Sequence, residues 1–305
     1  SSRGVYHFPV EFGEHFTMLF PDKQSNSYDN ESCSWSNTPD PDFAMDDDRE
    51  WVIGQFVWTG FDYLGEPAPY DTDAWPSHSS YFGIIDLASL PKDRYYLYRS
   101  RWNTESPTLH ALPHWTWPGR GGQTTPVYVY TSYPEAELFL NGKSMGRRSF
   151  DKSNTIDRNR LRWNDVAYEP GELRVVAYKA DGTPAEERTI RTAGKPAALR
   201  ISANRSSIAA DGDELEYSTV TAVDSKGNPV PAAANTVKFE VTGAGTFEAT
   251  ANGDPTCLMP FQKPEMKLFS GAATAIARSA KTPGTLRIRA TARGLKAAEA
   301  SVEVR

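Results

Sequence analysis

Aromatic side chains are spread so unevenly along these 305 residues that a single fold is a poor account of the whole chain. Residues 1–103 carry 21 aromatics, whereas the stretch after Pro196 carries five. All eight tryptophans fall at or before Trp163 and all five histidines at or before His114. A chain of this length is also long for one core, so two or three domains are expected. We divide it into three zones, residues 1–105, 106–195 and 196–305.

The first zone has α/β grammar. Val52-Ile-Gly-Gln-Phe-Val-Trp58 is a continuous apolar run of the kind buried on both faces in a parallel sheet, and Tyr81-Phe-Gly-Ile-Ile-Asp86 is a second. After Pro91, residues Lys92–Trp102 read as a helix, with Tyr95, Tyr98 and Trp102 on one face. The zone is too short to close such a core by itself. The second zone reads as all-β. Thr125–Thr131 alternates, Ala136–Met145 is a hairpin with Asn141-Gly142 at its turn, and Gly171–Tyr178 leads through Asp181-Gly182 into Ala185–Thr192. Short strands at near-regular spacing suggest a sandwich of immunoglobulin type. The third zone repeats that grammar in Ala198–Ser202, Glu216–Val223, Val237–Val241, Ala272–Ala277, Thr285–Ala292 and Ala300–Val304, and predicts a second sandwich. Asn252–Phe269 gives no clear pattern.

Within the first zone, Gln55–Tyr70 holds the densest chemistry. An apolar strand delivers Trp58 into a loop carrying Asp62, Tyr63 and Glu66. An indole packs on the flat C–H face of a pyranose, and carboxylates hydrogen-bond to its hydroxyls, so the pattern suits the wall of a sugar pocket. A core strand followed by an aromatic-rich turn is the alternative reading. Trp75 could line an outer subsite or only cover the mouth.

Composition excludes several functions. A net charge of −6 and a pI near 5.5 leave no basic stripe for nucleic acid. No apolar run reaches the roughly 18 residues of a membrane span. Cys33 and Cys257, far apart and in different zones, read as free thiols. The sequence itself requires no cofactor, and it leaves a structural or activating metal ion open. His110 and His114 have the spacing of a metal pair, but Pro113 lies between them, which favours a structural reading. Asp46-Asp-Asp48 suits a helix start, where carboxylates offset the dipole, with a calcium site as the sharper alternative.

Ser2–Pro9, Phe56–Pro67, Tyr81–Leu87 and Pro91–Tyr98 resemble the end of the catalytic barrel of glycoside hydrolase family 2, of the β-galactosidase type. Leu112–Gly119 and Ala136–Gly142 are similar to the immunoglobulin-like domain that follows such barrels, and the third zone to a bacterial immunoglobulin-like tail. The resemblance implies an incomplete C-terminal part of a (β/α)8 barrel followed by two β-sandwiches. It also implies retaining hydrolysis by two glutamates roughly 5–5.5 Å apart, both carried on barrel strands that would lie upstream of Ser1. The rest of the barrel would then be supplied by the upstream part of the same polypeptide, and this chain alone would be inactive. Asn30-Glu31 imitates the acid/base dipeptide but sits in a polar loop.

The expected substrate-binding residues are Trp58, by its strand-end position and by the same resemblance, and Asp62, Tyr63, Glu66 and Phe82 on or beside its loop, with Asp62 equally suited to stabilising that loop. Related β-glucuronidases carry Asn-x-Lys where this chain has Ser80 and Phe82, so a neutral glycan such as a β-galactoside is the expected substrate. An enzyme feeding on such glycans is expected to be periplasmic or at the cell surface. A competing reading is a carbohydrate-binding or adhesive module, with Trp115, Trp117 and Trp163 as its platform.

Overall fold

The computed structural model describes residues 1–10, 15–16 and 19–305. They form two compact units, one of Ser1–Asp86 with Pro91–Thr192, the other of Leu87–Leu90 with Ala193–Arg305.

In the first unit, the two-residue strands β1 (His15–Phe16) and β2 (Glu31–Ser32) pair in parallel. Helix α1 spans Pro39–Asp48 and α2 spans Asp93–Trp102. Proline opens α1, where its missing N–H costs nothing, and Asp40 and Asp42 lie in the favourable first turn. Asp46-Asp-Asp48 therefore closes this helix instead of opening it, contrary to the sequence expectation. Carboxylates there oppose the dipole, and arginines offset them: Arg101 reaches Asp47 at 2.6 Å and Arg158 reaches Asp48 at 2.7 Å.

The predicted buried strand Val52–Trp58 is an extended segment that joins no sheet among the described residues. Val57 leans on the core, but Ile53 and Phe56 are fully exposed. An apolar run is buried on both faces only when neighbours lie on both sides. Here the backbone partner begins one residue too late: Thr59 N–H donates to Phe82 O at 3.2 Å, Ile84 N–H to Thr59 O at 3.0 Å and Asp62 N–H to Ile85 O at 2.9 Å. The expected strand at 81–86 is thus reduced to isolated bridges, Ile85 pairing in parallel with Phe61 and antiparallel with Pro91.

Two sheets follow. Strands β3 (Leu109–Leu112), β4 (Val127–Thr131) and β7 (Leu161–Trp163) form one. Strands β5 (Glu135–Leu140), β6 (Lys143–Ser149), β8 (Glu172–Tyr178) and β9 (Pro184–Arg191) form the other, in the order β6-β5-β8-β9. The β5–β6 turn places Asn141 and Gly142 at φ 50° and 80°, the left-handed pair that a tight hairpin demands. Trp115, Val127, Val129, Leu138, Trp163 and Val175 fill the space between the sheets. Strand β4 is buried at every position, because its other face also has a partner. Tyr128 and Tyr130 pack there with Tyr28, Phe43, Leu97 and Tyr98. Several polar groups are paired within this layer. Arg160 grips the Asp40 carboxylate at 2.6 and 2.7 Å, Arg94 holds Asp29, and Asp93 accepts from Tyr6 at 2.5 Å and pairs with His110 at 2.6 Å.

In the second unit, β10 (Ala198–Ala203), β11 (Ser207–Ile208), β12 (Leu215–Val223), β13 (Thr236–Gly243), β14 (Gly245–Ala251), β15 (Glu265–Lys267), β16 (Ala272–Ser279), β17 (Gly284–Ala292) and β18 (Ala298–Val304) form two sheets. Their orders are β10-β12-β16-β14 and β11-β18-β17-β13-β15. The core is aliphatic and alanine-rich: Val220, Val237, Met266, Ala273, Ala275, Leu286, Ile288 and Val302. The unpatterned stretch 252–269 holds β15, three residues between Pro264 and Leu268 that pair with the edge of β13.

Removing one partner of a buried ion pair strands the other charge. Arg160→Met should lower the unfolding free energy of the first unit by about 3–5 kcal/mol, and the double variant with Asp40→Asn should recover part of it in urea titrations. A loss below about 1 kcal/mol would show that water reaches the pair. His114 gives a pH signature. Its ring stacks on Trp117 at 3.9 Å, and burial pushes its pKa down to about 4. Between that value and the ordinary 6.5 the unfolded chain binds the extra proton, so the contribution is complete above pH 6.5 and is lost as pH falls toward 4. Part exposure of the ring limits the effect to about 1–2 kcal/mol. His114→Phe should flatten the fall in melting temperature over that window, leaving the share of His110, which burial also shifts downward.

Candidate functional site

The loop after the extended segment is built on the 78–85 stretch. Ser80 N–H donates to Tyr63 O at 2.8 Å, Tyr63 N–H to Ser80 Oγ at 3.2 Å, and Gly65 N–H to His78 O at 2.7 Å. Three of the five expected residues come together on its outer side. Trp58 is 72% exposed, and its Nε1–H donates to the Tyr63 hydroxyl at 3.3 Å. That hydroxyl donates in turn to Glu66, and the two rings meet edge-on at 6.4 Å. Partial burial and the Glu66 carboxylate both push the Tyr63 hydroxyl pKa up, so it stays a proton donor. The Trp58–Thr59 peptide is cis and Glu66 has φ 48°. An open indole beside a linked hydroxyl and carboxylate offers one stacking face and two polar contacts, a combination suited to a sugar ring.

Asp62 lies on the inner side. It is 9% exposed, and its Oδ1 accepts from Gly83 N–H at 2.8 Å and from Ser80 Oγ–H at 3.3 Å. Its Oδ2 faces Lys92 Nζ at 2.6 Å. Burial pushes the Asp62 pKa up, partly opposed by Lys92; burial pushes the Lys92 pKa down, partly opposed by Asp62. We assign both as charged, because the short contact and the further donors on Asp62 favour the ion pair. Phe82 is half-buried and contributes its carbonyl to the Thr59 pairing. Trp75 is 72% exposed, beyond the short helical turn Asp71–Asp73.

Lys92 is the residue that sequence reasoning missed. It occupies the N-cap of α2, where a cation opposes the dipole and cannot accept the free N–H groups, and that mismatch was the available signal.

The remaining candidates are structural. His110 pairs with Asp93 and stacks on Tyr96 at 3.8 Å, and His114 packs on Trp117. Among the described residues no cluster of histidine, cysteine and acid could hold a metal ion. Glu31 lies in β2. Neither Cys33 nor Cys257 is in a disulfide. Trp115 and Trp163 are sealed in the sandwich core with their N–H groups on Glu169 O and Gly146 O, which removes two of the three tryptophans of the binding-platform reading.

Comparison with known proteins gives the same direction for the whole chain. Residues 199–301 match the family model for glycoside hydrolase family 2 C-terminal domain 5, and residues 122–185 match a domain of unknown function, DUF4982. Beta-galactosidase BoGH2A of Bacteroides ovatus is 39% identical over 304 residues, 97% of this chain and 34% of its own length. A protein of Formosa agariphila named putative beta-glucuronidase is 36% identical over 217 residues, 68% of this chain and 20% of its own. The crystal structure of a beta-glycosidase from Bacteroides vulgatus superposes with a TM-score of 0.81 at 32% identity, over 92% of this chain and 34% of that one. The chain thus spans about a third of the first of these relatives. No helix among the described residues is long and apolar enough to cross a membrane. From the tryptophan loop to the second sandwich, the chain belongs to glycoside hydrolase family 2.

Proposed function

We propose that this chain is the C-terminal part of a retaining β-glycosidase, that residues 1–105 complete its catalytic barrel, and that the sugar is a neutral β-galactoside. One observation carries the reading: Trp58, Tyr63 and Glu66 form an exposed, hydrogen-bonded row at the end of an apolar segment with an uncovered side. Trp51, Ile53, Phe56, Phe61 and Leu64 are each more than half exposed along that segment and its loop. A row of large apolar groups is the normal sign of a surface that something else covers, and neighbouring barrel strands from upstream sequence would cover it.

In this reading Trp58 packs on the C–H face of the sugar, and the Tyr63–Glu66 pair hydrogen-bonds its hydroxyls. Both catalytic glutamates come from upstream. One protonates the leaving oxygen while the other attacks the anomeric carbon, and water then resolves the glycosyl-enzyme. Glu66 is an unsuitable substitute, because Asp62, the other acid of its loop, faces Lys92. A uronate would need a cation, whereas Ser80 and Phe82 stand at the relevant positions and Lys92 is matched by Asp62. Export to the periplasm or cell surface is part of the proposal.

The 305-residue chain alone should release no nitrophenol from nitrophenyl β-galactoside. Joined to its natural upstream sequence it should do so, with nitrophenyl β-glucuronide a much poorer substrate. Trp58→Ala in the joined polypeptide should lower kcat/KM about tenfold to a hundredfold. Hydrolysis by the chain alone that disappears in Glu66→Gln would overturn the assignment of the glutamates, and a preference for the glucuronide would overturn the neutral sugar.

A further inference from the structure

Buried opposite charges are a poor source of stability, since a well-packed apolar pair of the same volume does as well or better. The Asp62–Lys92 pair therefore asks for a reason other than holding the fold. Lys92 is 1% exposed, and its Nζ meets Asp62 Oδ2 at 2.6 Å and Tyr81 O at 3.4 Å. Its own N–H donates to Ile84 O at 3.0 Å. One carboxylate thus touches three pieces of chain: its own loop, the 80–83 stretch through Ser80 and Gly83, and the N-cap of α2 through Lys92.

The same place is a very close approach of two backbone segments. A Cβ on Gly83 would lie 2.2 Å from Asp62 N and 2.5 Å from Phe61 C, so only glycine lets the two segments meet. The pairing this allows fixes Thr59, the residue directly after Trp58, through hydrogen bonds to Phe82 and Ile84. Beyond Lys92, α2 is anchored by Arg94 on Asp29 and by Leu97 and Tyr98 against the tyrosine face of β4. A continuous line of contacts therefore runs from the sandwich through α2 to the backbone under Trp58.

We propose that Asp62 and Lys92 are positioning residues: the pair transmits the fixed location of α2 to the Trp58–Glu66 loop and sets the orientation in which Trp58, Tyr63 and Glu66 meet their ligand. What the loop binds rests on the glycosidase reading; the positioning does not. It reassigns Asp62 from ligand contact to the support behind the contact. Such supports matter because a misplacement on the order of 1 Å at a reacting centre reduces turnover about a hundredfold.

Fluorine NMR of the chain labelled with 5-fluorotryptophan tests this directly, with the Trp58 resonance identified by its loss in Trp58→Phe. Asp62→Asn keeps the shape and the acceptor for Gly83 while removing the charge, and Lys92→Met removes the other partner. Each should shift or broaden the Trp58 signal and leave the buried Trp115 and Trp163 signals in place. An unchanged Trp58 signal in both variants overturns the proposal. So does a shift of all signals together in both, which would make the pair a fold-wide stabiliser. In the polypeptide joined to its upstream sequence, Asp62→Asn should lower kcat at least tenfold per titrated active site, with KM changed less. A lower number of active sites at unchanged kcat would be the mark of a purely structural role and would also overturn it. If the joined wild-type polypeptide hydrolyses no glycoside, the glycosidase reading fails, and the fluorine signals still decide the positioning role.

Discussion

Everything in the first unit depends on a sheet with two apolar faces. Strand β4 alternates valine and tyrosine, Val127 and Val129 toward the sandwich core and Tyr128 and Tyr130 toward the N-terminal residues. An ordinary sandwich strand turns its second face to water and carries polar residues there. This one carries large aromatics, so the sandwich buries them only with Tyr28, Phe43 and α2 in place. That constraint makes residues on both sides of position 105 one compact body.

Tyrosine is well suited to such a layer, because it buries a ring and retains a polar tip. The tips and neighbouring charges are matched in several places. Tyr28 donates to Pro126 O at 2.6 Å, Tyr6 to Asp93, and Arg160 lies beneath the Tyr130 ring while gripping Asp40. These interactions add direction to an apolar contact that would otherwise tolerate sliding. Orientation is the property a site built on a loop needs most, since the loop itself has few apolar contacts to hold it.

The second unit needs no such device. Its core of alanine, valine and leucine closes between two sheets with one aromatic, Phe239, among its buried residues. The fall in aromatic content after Pro196 therefore marks a change in how burial is achieved: thin side chains between well-paired strands in place of rings filling an irregular space between helix, loop and sheet.

Much of this was legible in the chain. Period-two alternation and turn residues such as Asn141-Gly142 are local, and most of the strands they announce formed within a residue or two of expectation, as did α2 behind Pro91, while β6 runs four residues past the expected end of its hairpin. The row of Trp58, Tyr63 and Glu66 was also readable, because residues this close in sequence share a loop whatever surrounds it. Other features were set by partners distant in sequence. The three-residue strands β7 and β15 are too short to show a period and form because an edge is waiting for them. Val52–Trp58 has the composition of a buried strand, yet burial requires neighbours that composition cannot supply. Asp46-Asp-Asp48 has the composition of a helix start, yet Pro39 had already opened that helix. Asp62 differs again, since loop position says that a carboxylate is available and not which way it points. The sequence by itself determined where most of the longer strands, their turns and the tryptophan loop would lie. Only the tertiary structure decided that Asp62 faces inward to Lys92 and that Tyr128 and Tyr130 face the N-terminal layer. The physical reason is that burial and charge pairing are made between residues the chain order keeps apart.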